Sequence, residues 1–455
     1  MARPDPALTA AAQTNADRRT ADRRTASRRV ASHRTTGRAA VVLSTLLASA
    51  LALTGCSGAT GNARTDAAEA SGDGTLRIGV LLDNTGDQSF LNAPQLAAVK
   101  LAIKEINAAG GHKGKPVELL PETISADTAA QAKTLVAAKA DVVIGPTDSS
   151  HAAAAIDVLS KAKIAMISPA NAAPGLSSYR SGGYYFRTAA ADVAQASILV
   201  KLAKDGGAKT VAVLHEAGSY GKEVSVAVAA AAKSAGLSTP IDAEFPAGQA
   251  QQAATAAKAA APDAVVLIAR QGAQGAIAEL NNAGLAGKKL VLSDGAVGQY
   301  GQGLGSHALD GARGVLPGTF PSAQFQAGLV GIDPGLKDMT FAAEAYDAVN
   351  LAAIAAAAAQ DDAGTSIASR LIAVSGGSAA GTDGSAGGEA ADCHTYKECL
   401  DALHAGKRPN YEGQSGPVNF DSNGDVTAAD YMVYTYGPDN TAKMTGNETA
   451  RSGGS

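Results

Sequence analysis

Hydroxyl groups crowd the stretch Gly145-Pro146-Thr147-Asp148-Ser149-Ser150, which ends an apolar run and opens a helical pattern at 151–156. Hydroxyls and unpaired backbone N–H groups at a helix N-terminus form a receptor for an anion, and the helix dipole favours it further. A ligand carboxylate would suit such a site. Ser149 and Ser150 equally suit plain N-capping, worth about 1 kcal/mol, and the stretch alone leaves both readings open. A second apolar run, 164–168, breaks into Pro169-Ala170-Asn171-Ala172-Ala173-Pro174, which cannot continue as a helix. Covalent catalysis finds no matching set. His112, His151, His215, His307, His394 and His404 are scattered; there is no Gly-x-Ser-x-Gly elbow with an acid and a base, and no Gly-Lys-Ser/Thr phosphate loop. His215-Glu216, close to Tyr220, is the one pair with acid–base potential. The expectation is a binder with no catalytic residue, no cofactor and no metal.

The elements that must position these residues alternate. Apolar runs at 76–82, 117–120, 141–144, 164–168, 210–214, 264–269 and 290–293 predict strands, and helical spacing fills 95–108, 129–138, 152–162, 193–205, 221–235, 250–260 and 275–283. Strand and helix in turn, with continuous Val/Ile/Leu strands, mean parallel sheets covered on both faces, which bind ligands at the strands' carboxyl ends. The Ala-rich helix leading into an apolar strand occurs at 129–145 and again at 249–269, which suggests two lobes on one plan. Beyond Val315 the pattern changes: a long helix at 340–360, a Gly/Ser/Ala loop at 375–389, a short helix at 396–404, then strands 418–420 and 426–436 flanking Asn423-Gly424, a hairpin signal. Asp421 to Asp425 has the acid spacing of a calcium loop, but it lacks the later glutamate and is flanked by strands, so a turn is expected.

The N-terminal region reads as an export signal. Arg-rich residues, including the near-repeat Asp17-Arg18-Arg19-Thr20-Ala21 and Asp22-Arg23-Arg24-Thr25-Ala26, precede an uncharged run at 39–55 that ends in Leu53-Thr54-Gly55-Cys56. A cysteine directly after Leu-Thr-Gly resembles the lipobox of bacterial lipoproteins, which implies that Cys56 is lipidated and tethers the chain to the outer face of the cell membrane. Acyl chains contribute about 0.8 kcal/mol per buried CH₂, so several hold a domain firmly. Nine of the 38 basic residues and three of the 42 acidic ones precede Cys56, leaving the remainder with an excess of about ten acids. Such a charge excludes nucleic acid and anionic lipid as expected partners. An exported compartment permits a disulfide between Cys393 and Cys399. A metal pair with His394 is the rival, without a second ligand cluster.

The order of short motifs is similar to that of the branched-chain amino-acid-binding proteins of ABC importers, with the periplasmic-binding type I fold. Gly145 through Ser149 to Met166 and Pro169-Ala170 carry the resemblance, with Glu105 to Gly111, Arg187-Thr188 before Asp192, Ser219-Tyr220-Gly221, Ala345-Tyr346-Asp347-Ala348, and Gly413 through Ser415-Gly416-Pro417 to Phe420-Asp421 and Asn423-Gly424. It covers about 76–436. It implies an α/β fold of two doubly wound parallel-sheet lobes joined by a three-crossing hinge. The segments would be 1–55 signal with lipobox, 56–75 flexible tether, 76–188 plus 318–415 lobe 1, 189–317 plus 416–436 lobe 2, and 437–455 flexible tail.

The resemblance also implies a ligand site. Ser149, supported by Ser150, and the backbone at Ala170 would hold a ligand carboxylate. Ala172 stands where the family has a threonine hydroxyl, so one hydrogen bond is absent, at a cost of roughly 1.5–3 kcal/mol. Asp148 beside Ser149 is a further departure. Tyr220 and Asp294 match the family's cleft tyrosine and its ammonium-pairing acid, Gln271 stands near a family tyrosine, and Phe90 or Leu91 falls near an aromatic of the first loop. The implied protein is a monomeric, extracytoplasmic lipoprotein. It would capture a small polar ligand, an amino acid or related compound, for a membrane permease. The alternatives are a ligand-sensing receptor of the same fold and a surface hydrolase.

Overall fold

Two parallel sheets grow from the alternation read in the sequence, and in each the central strands are buried on both faces. The computed structural model describes residues 71–305, 307–377 and 389–451. The first sheet contains β1 (Arg77–Val80), β2 (Glu118–Leu119), β3 (Val142–Ile144), β4 (Ala165–Ser168) and β5 (Tyr185–Arg187), in the order β2-β1-β3-β4-β5, all parallel. Its crossovers carry α1 (Asn92–Ala108), α2 (Thr128–Ala137) and α3 (Ser149–Lys161). The period of two along β3 divides the core: Val142 and Ile144 join one apolar cluster with α1, whereas Val143 joins another with Leu135, Ile156 and Leu159 of the opposite layer.

The second sheet repeats the plan. Strands β6 (Val211–Glu216), β7 (Asp242–Phe245), β8 (Ala264–Ile268), β9 (Leu290–Leu292) and β10 (Arg313–Pro317) run parallel in the order β7-β6-β8-β9-β10, with α4 (Ala196–Asp205) before them and α5 (Ser219–Ser234), α6 (Gln251–Ala260) and α7 (Ala273–Ala283) between them. The chain then returns to the first lobe through α8 (Ala323–Ile332), α9 (Ala342–Ala359) and α10 (Gly364–Val374). Helix α9 is buried nearly all round, and its alanines allow α1 and α10 to pack closely against it. A small sheet of β11 (Ala390–Cys393), β12 (Arg408–Gly413) and β13 (Gly416–Pro417), with α11 (Tyr396–His404), completes this lobe. Cys393 and Cys399 are disulfide-bonded across the β11–α11 corner.

Several expectations are corrected. The sequence predicts a second lobe that ends at 436 with a flexible tail after it. Instead β14 (Ala428–Tyr436) pairs antiparallel with β10 and β15 (Ala442–Arg451) antiparallel with β14, extending that sheet to seven strands. Strand β15 escapes a pattern search because it is an edge strand whose side chains are mostly polar and exposed. The resemblance places residues 416–420 in the second lobe, but Val418 and Phe420 lie in the first lobe's core, with the Phe420 ring 5.4 Å from that of Phe186. The last passage between lobes therefore follows Phe420. The Asn423-Gly424 turn is present, closed by the Asp421 amide on the Asp425 carbonyl (2.8 Å). Gly424 has φ +83°, and a Cβ there would stand 2.5 Å from the Tyr185 carbonyl. The end of the expected tether is also fixed: the Ser71 and Gly72 amides donate to Asp361 and the Gly74 amide to Asp362. The signal, Cys56 and the rest of the tether lie outside the described residues, as do 378–388 of the Gly/Ser/Ala loop. Among the described residues no helix is long and apolar enough to cross a membrane.

Candidate functional site

The strand order decides where a ligand can sit. In each sheet the chain starts inside, runs to one edge and returns past its starting strand, so the pairs β1/β3 and β6/β8 send their connections in opposite directions. A crevice opens beyond the carboxyl ends of such a pair. Residues beyond all four of these strand ends line one cleft of about 1340 Å³ between the lobes.

On the first lobe, the polar backbone groups of the wall are largely satisfied by the protein itself. Asp83, buried beyond β1, accepts from the amides of Thr147 (2.8 Å) and Asp148 (3.1 Å) and lies 2.9 Å from His151 Nδ1. Asp148 caps α3, accepting from the amide (2.8 Å) and hydroxyl (2.7 Å) of Ser150. Ser149 reaches the neighbouring loop, where its Oγ accepts from the amides of Ala172 (3.1 Å) and Ala173 (3.3 Å). Both lone pairs are thereby used, which leaves the Ser149 hydroxyl proton available as a donor. Ser168 Oγ accepts from the amides of Ala170 and Asn171 at 3.2 and 2.9 Å.

On the second lobe the wall is acidic. Gly221 lets α5 start hard against β6, since a Cβ there would lie 1.9 Å from the Glu216 carbonyl, and this sets Tyr220 at the cleft. The Tyr220 hydroxyl donates to Asp294 Oδ1 and lies 2.9 Å from Ser293 Oγ. Gln195 Nε2 donates to the same Oδ1 at 2.7 Å, so Asp294, which lines the cleft, has its Oδ2 without a donor among the described residues. Arg270 lies 3.9 Å over the Tyr220 ring and donates from Nη2 to Asp192 Oδ2 at 3.2 Å. Burial, and then the charge of Asp294, push the Asp192 carboxyl up to about 7; burial, with the charge of Asp347 adding to it, does the same to Glu344 at the hinge side of the cleft. Glu216 holds the turn after β8 by accepting from the amides of Arg270 (2.7 Å) and Gly272 (3.0 Å).

Of the residues expected at a site, Ser149, Ser150, Ala170, Ala172, Tyr220, Gln271 and Asp294 line this cleft. Phe90 does not: it is 50 % exposed, and its neighbours Gln88 and Leu91 form the wall instead. Ser150 stands in the wall with its amide and hydroxyl both engaged by Asp148. The Ala170 and Ala172 amides are held by Ser168 and Ser149. His215 is paired with Asp242 (3.4 Å) at the β6–β7 edge. Asp83, Asp192, Gln195 and Glu344 were missed. Asp83 had a signal, as the polar residue directly beyond a first apolar strand; the other three gain their roles only through tertiary contacts.

Residues 75–436 match the model of the family described as periplasmic binding protein. The chain belongs to that family. Among relatives of this binding protein, the Leu/Ile/Val-binding protein homolog 3 of Brucella melitensis is 31% identical over 185 residues, 37% of this chain and 49% of that one. The chain thus spans about half the length of that relative. The substrate-binding protein BasB of a chemotactic signal transduction system in Halobacterium salinarum is 26% identical over 374 residues, 78% of this chain and 84% of its own. Among solved structures, the branched-chain amino acid transporter substrate-binding protein LivJ of Streptococcus pneumoniae, in complex with isoleucine, superposes with a TM-score of 0.56 at 22% identity, over 83% of this chain and 99% of that one. The likeness extends to the two-lobed α/β fold of this binding protein.

Proposed function

We propose that this periplasmic binding protein captures a small polar solute, an amino acid or related compound, outside the cytoplasm and delivers it to the permease of an ABC importer. The observation that carries the reading is the convergence of both lobes' β1/β3-type crevices on one cleft, with Ser149 on one wall and Tyr220 and Asp294 on the other. Three passages, around 188–195, 316–322 and 421–427, link the lobes, and hinge closure about them would bury the solute. Membership of the family supports the extracytoplasmic location. The Leu53-Thr54-Gly55-Cys56 sequence supports tethering by a lipidated Cys56, and no reaction chemistry is required of a monomer acting in this way. Titration of the purified protein with amino acids, amides and amines tests the reading. A saturating ligand at 100 times its Kd stabilises by about 2.7 kcal/mol, and a panel without any thermal shift or calorimetric heat would sink it.

A second reading is favoured by the BasB relative: the same cleft reports its ligand to a signalling partner. Ligand-stimulated ATPase activity with a reconstituted permease supports import, whereas ligand-dependent capture of a membrane receptor supports sensing.

A further inference from the structure

We propose that the cleft selects a net-cationic solute, an aliphatic amine whose ammonium retains N–H groups, over zwitterions and anions. The inference rests on the reading of the cleft as the solute site. Three independent observations lead to it.

The first is the fate of the donors that would receive a ligand carboxylate. At the start of α3, the Thr147 and Asp148 amides are taken by Asp83, and the Ser150 amide and hydroxyl by Asp148. In the facing loop, Ser168 and Ser149 take the amides from Ala170 to Ala173. Only the amide and the hydroxyl proton of Ser149 remain without a partner among the described residues. Two carboxylates, Asp83 and Asp148, sit at the positive end of the α3 dipole and oppose it. A carboxylate arriving here would meet like charge and one serine.

The second observation concerns the cleft's cation. Among the described residues lining the cleft, Arg270 alone carries a basic side chain. It is half exposed; one of its N–H groups is engaged by Asp192 and its plane lies over the face of Tyr220. Asp192 therefore offsets its charge toward an anion, and its stacking leaves no open Tyr220 face to a quaternary ammonium.

The third is the supply of acceptors. Asp294 Oδ2 is open while Gln195 and Tyr220 hold Oδ1, which fixes the direction of the free lone pairs. Asp192, Glu223 and Glu344 line the same cleft. Asp192 is 7 % exposed, so when ionised its charge is weakly screened. A ligand bearing N–H donors and net positive charge satisfies these acceptors; an anion satisfies none.

Isothermal titration of the full chain with four probes tests the proposal: 1,5-diaminopentane and n-butylamine as cations, leucine as zwitterion, benzoate as anion. The expected result is a Kd for at least one amine about tenfold or more below that for leucine, which corresponds to about 1.4 kcal/mol, with benzoate weakest. Asp192→Asn should weaken the amine about tenfold while leaving leucine within about threefold. Leucine or benzoate binding as tightly as either amine overturns the cation proposal and leaves the solute-binding reading in place. Failure of all four probes at millimolar concentration overturns both.

Discussion

Gln195 and Asp294 grip each other twice: Gln195 Nε2 donates to Asp294 Oδ1 at 2.7 Å, and the Asp294 amide donates to Gln195 Oε1 at 3.0 Å. Gln195, 1 % exposed, lies on the first passage between lobes, so the passage itself aims the acid of the second wall. Gln195→Ala should lower affinity for an ammonium ligand about tenfold and cost about 1–3 kcal/mol of stability, because the Asp294 amide loses its acceptor. Gln195→Glu should impair binding as well, by turning a donor into a second negative charge beside Asp294. Calorimetry and urea unfolding separate the two effects.

A pH dependence follows from Asp192. Burial and the neighbouring Asp294 raise its carboxyl from 3.8 to about 7, with Arg270 and Arg187 opposing and Glu223 adding to the rise. A raised acid in the folded state favours its protonated form. Its stabilising effect is full below about pH 4 and is lost as pH rises toward 7, with a slope of up to about 1.4 kcal/mol per pH unit. Glu344 shifts in the same direction. In urea unfolding at pH 5 and pH 7.5, Asp192→Asn should therefore lose less stability over this interval than the parent. A cationic ligand should bind more tightly at pH 8 than at pH 6 in the parent, and the difference should shrink in the variant.

Asp148 offers the reciprocal change. Asp148→Asn keeps an oxygen to cap α3 but removes the charge that opposes its dipole. Affinity for leucine or benzoate should rise about threefold or more relative to the parent, with little change in melting temperature. Competition titrations of parent and variant at low ionic strength read this directly.

The hinge has its own buried acid. Asp347 on α9 accepts from the Tyr411 hydroxyl (2.9 Å), the amides of Gln414 and Ser415 (both 2.8 Å) and the Ser415 hydroxyl (2.5 Å), fixing the turn between β12 and β13 beside the last passage. Asp347→Ala strands these donors and should cost about 3 kcal/mol. Gly413→Ala should be comparable in effect, since a Cβ there would stand 2.2 Å from Asp347 Oδ2. Denaturant midpoints of both variants check the prediction.

The two motifs that meet here, Ala345 to Ala348 and Gly413 to Pro417, stand far apart in the sequence and were legible only as separate short agreements. The parallel strands were readable because continuous runs such as Ala264–Ile268 are buried on both faces. Strand β7 was not, since at the sheet edge only Phe245 of Asp242–Phe245 is fully buried. The cleft residues directly beyond strand ends, such as Ser149 and Asp294, could be found by position. Their partners could not: the reach of Ser149 to the 172–173 amides, and of Gln195 to Asp294, is set by how lobes and passages pack, and no local pattern encodes it.

The backbone at Ser71, Gly72 and Gly74 is moored to Asp361 and Asp362, both of the first lobe. Gly72 sits so close to Asp362 (2.4 Å to a Cβ there) that the mooring leaves no slack. Any tension carried along the preceding chain is thus delivered to one jaw only. The other jaw bears no such load and remains at liberty to swing.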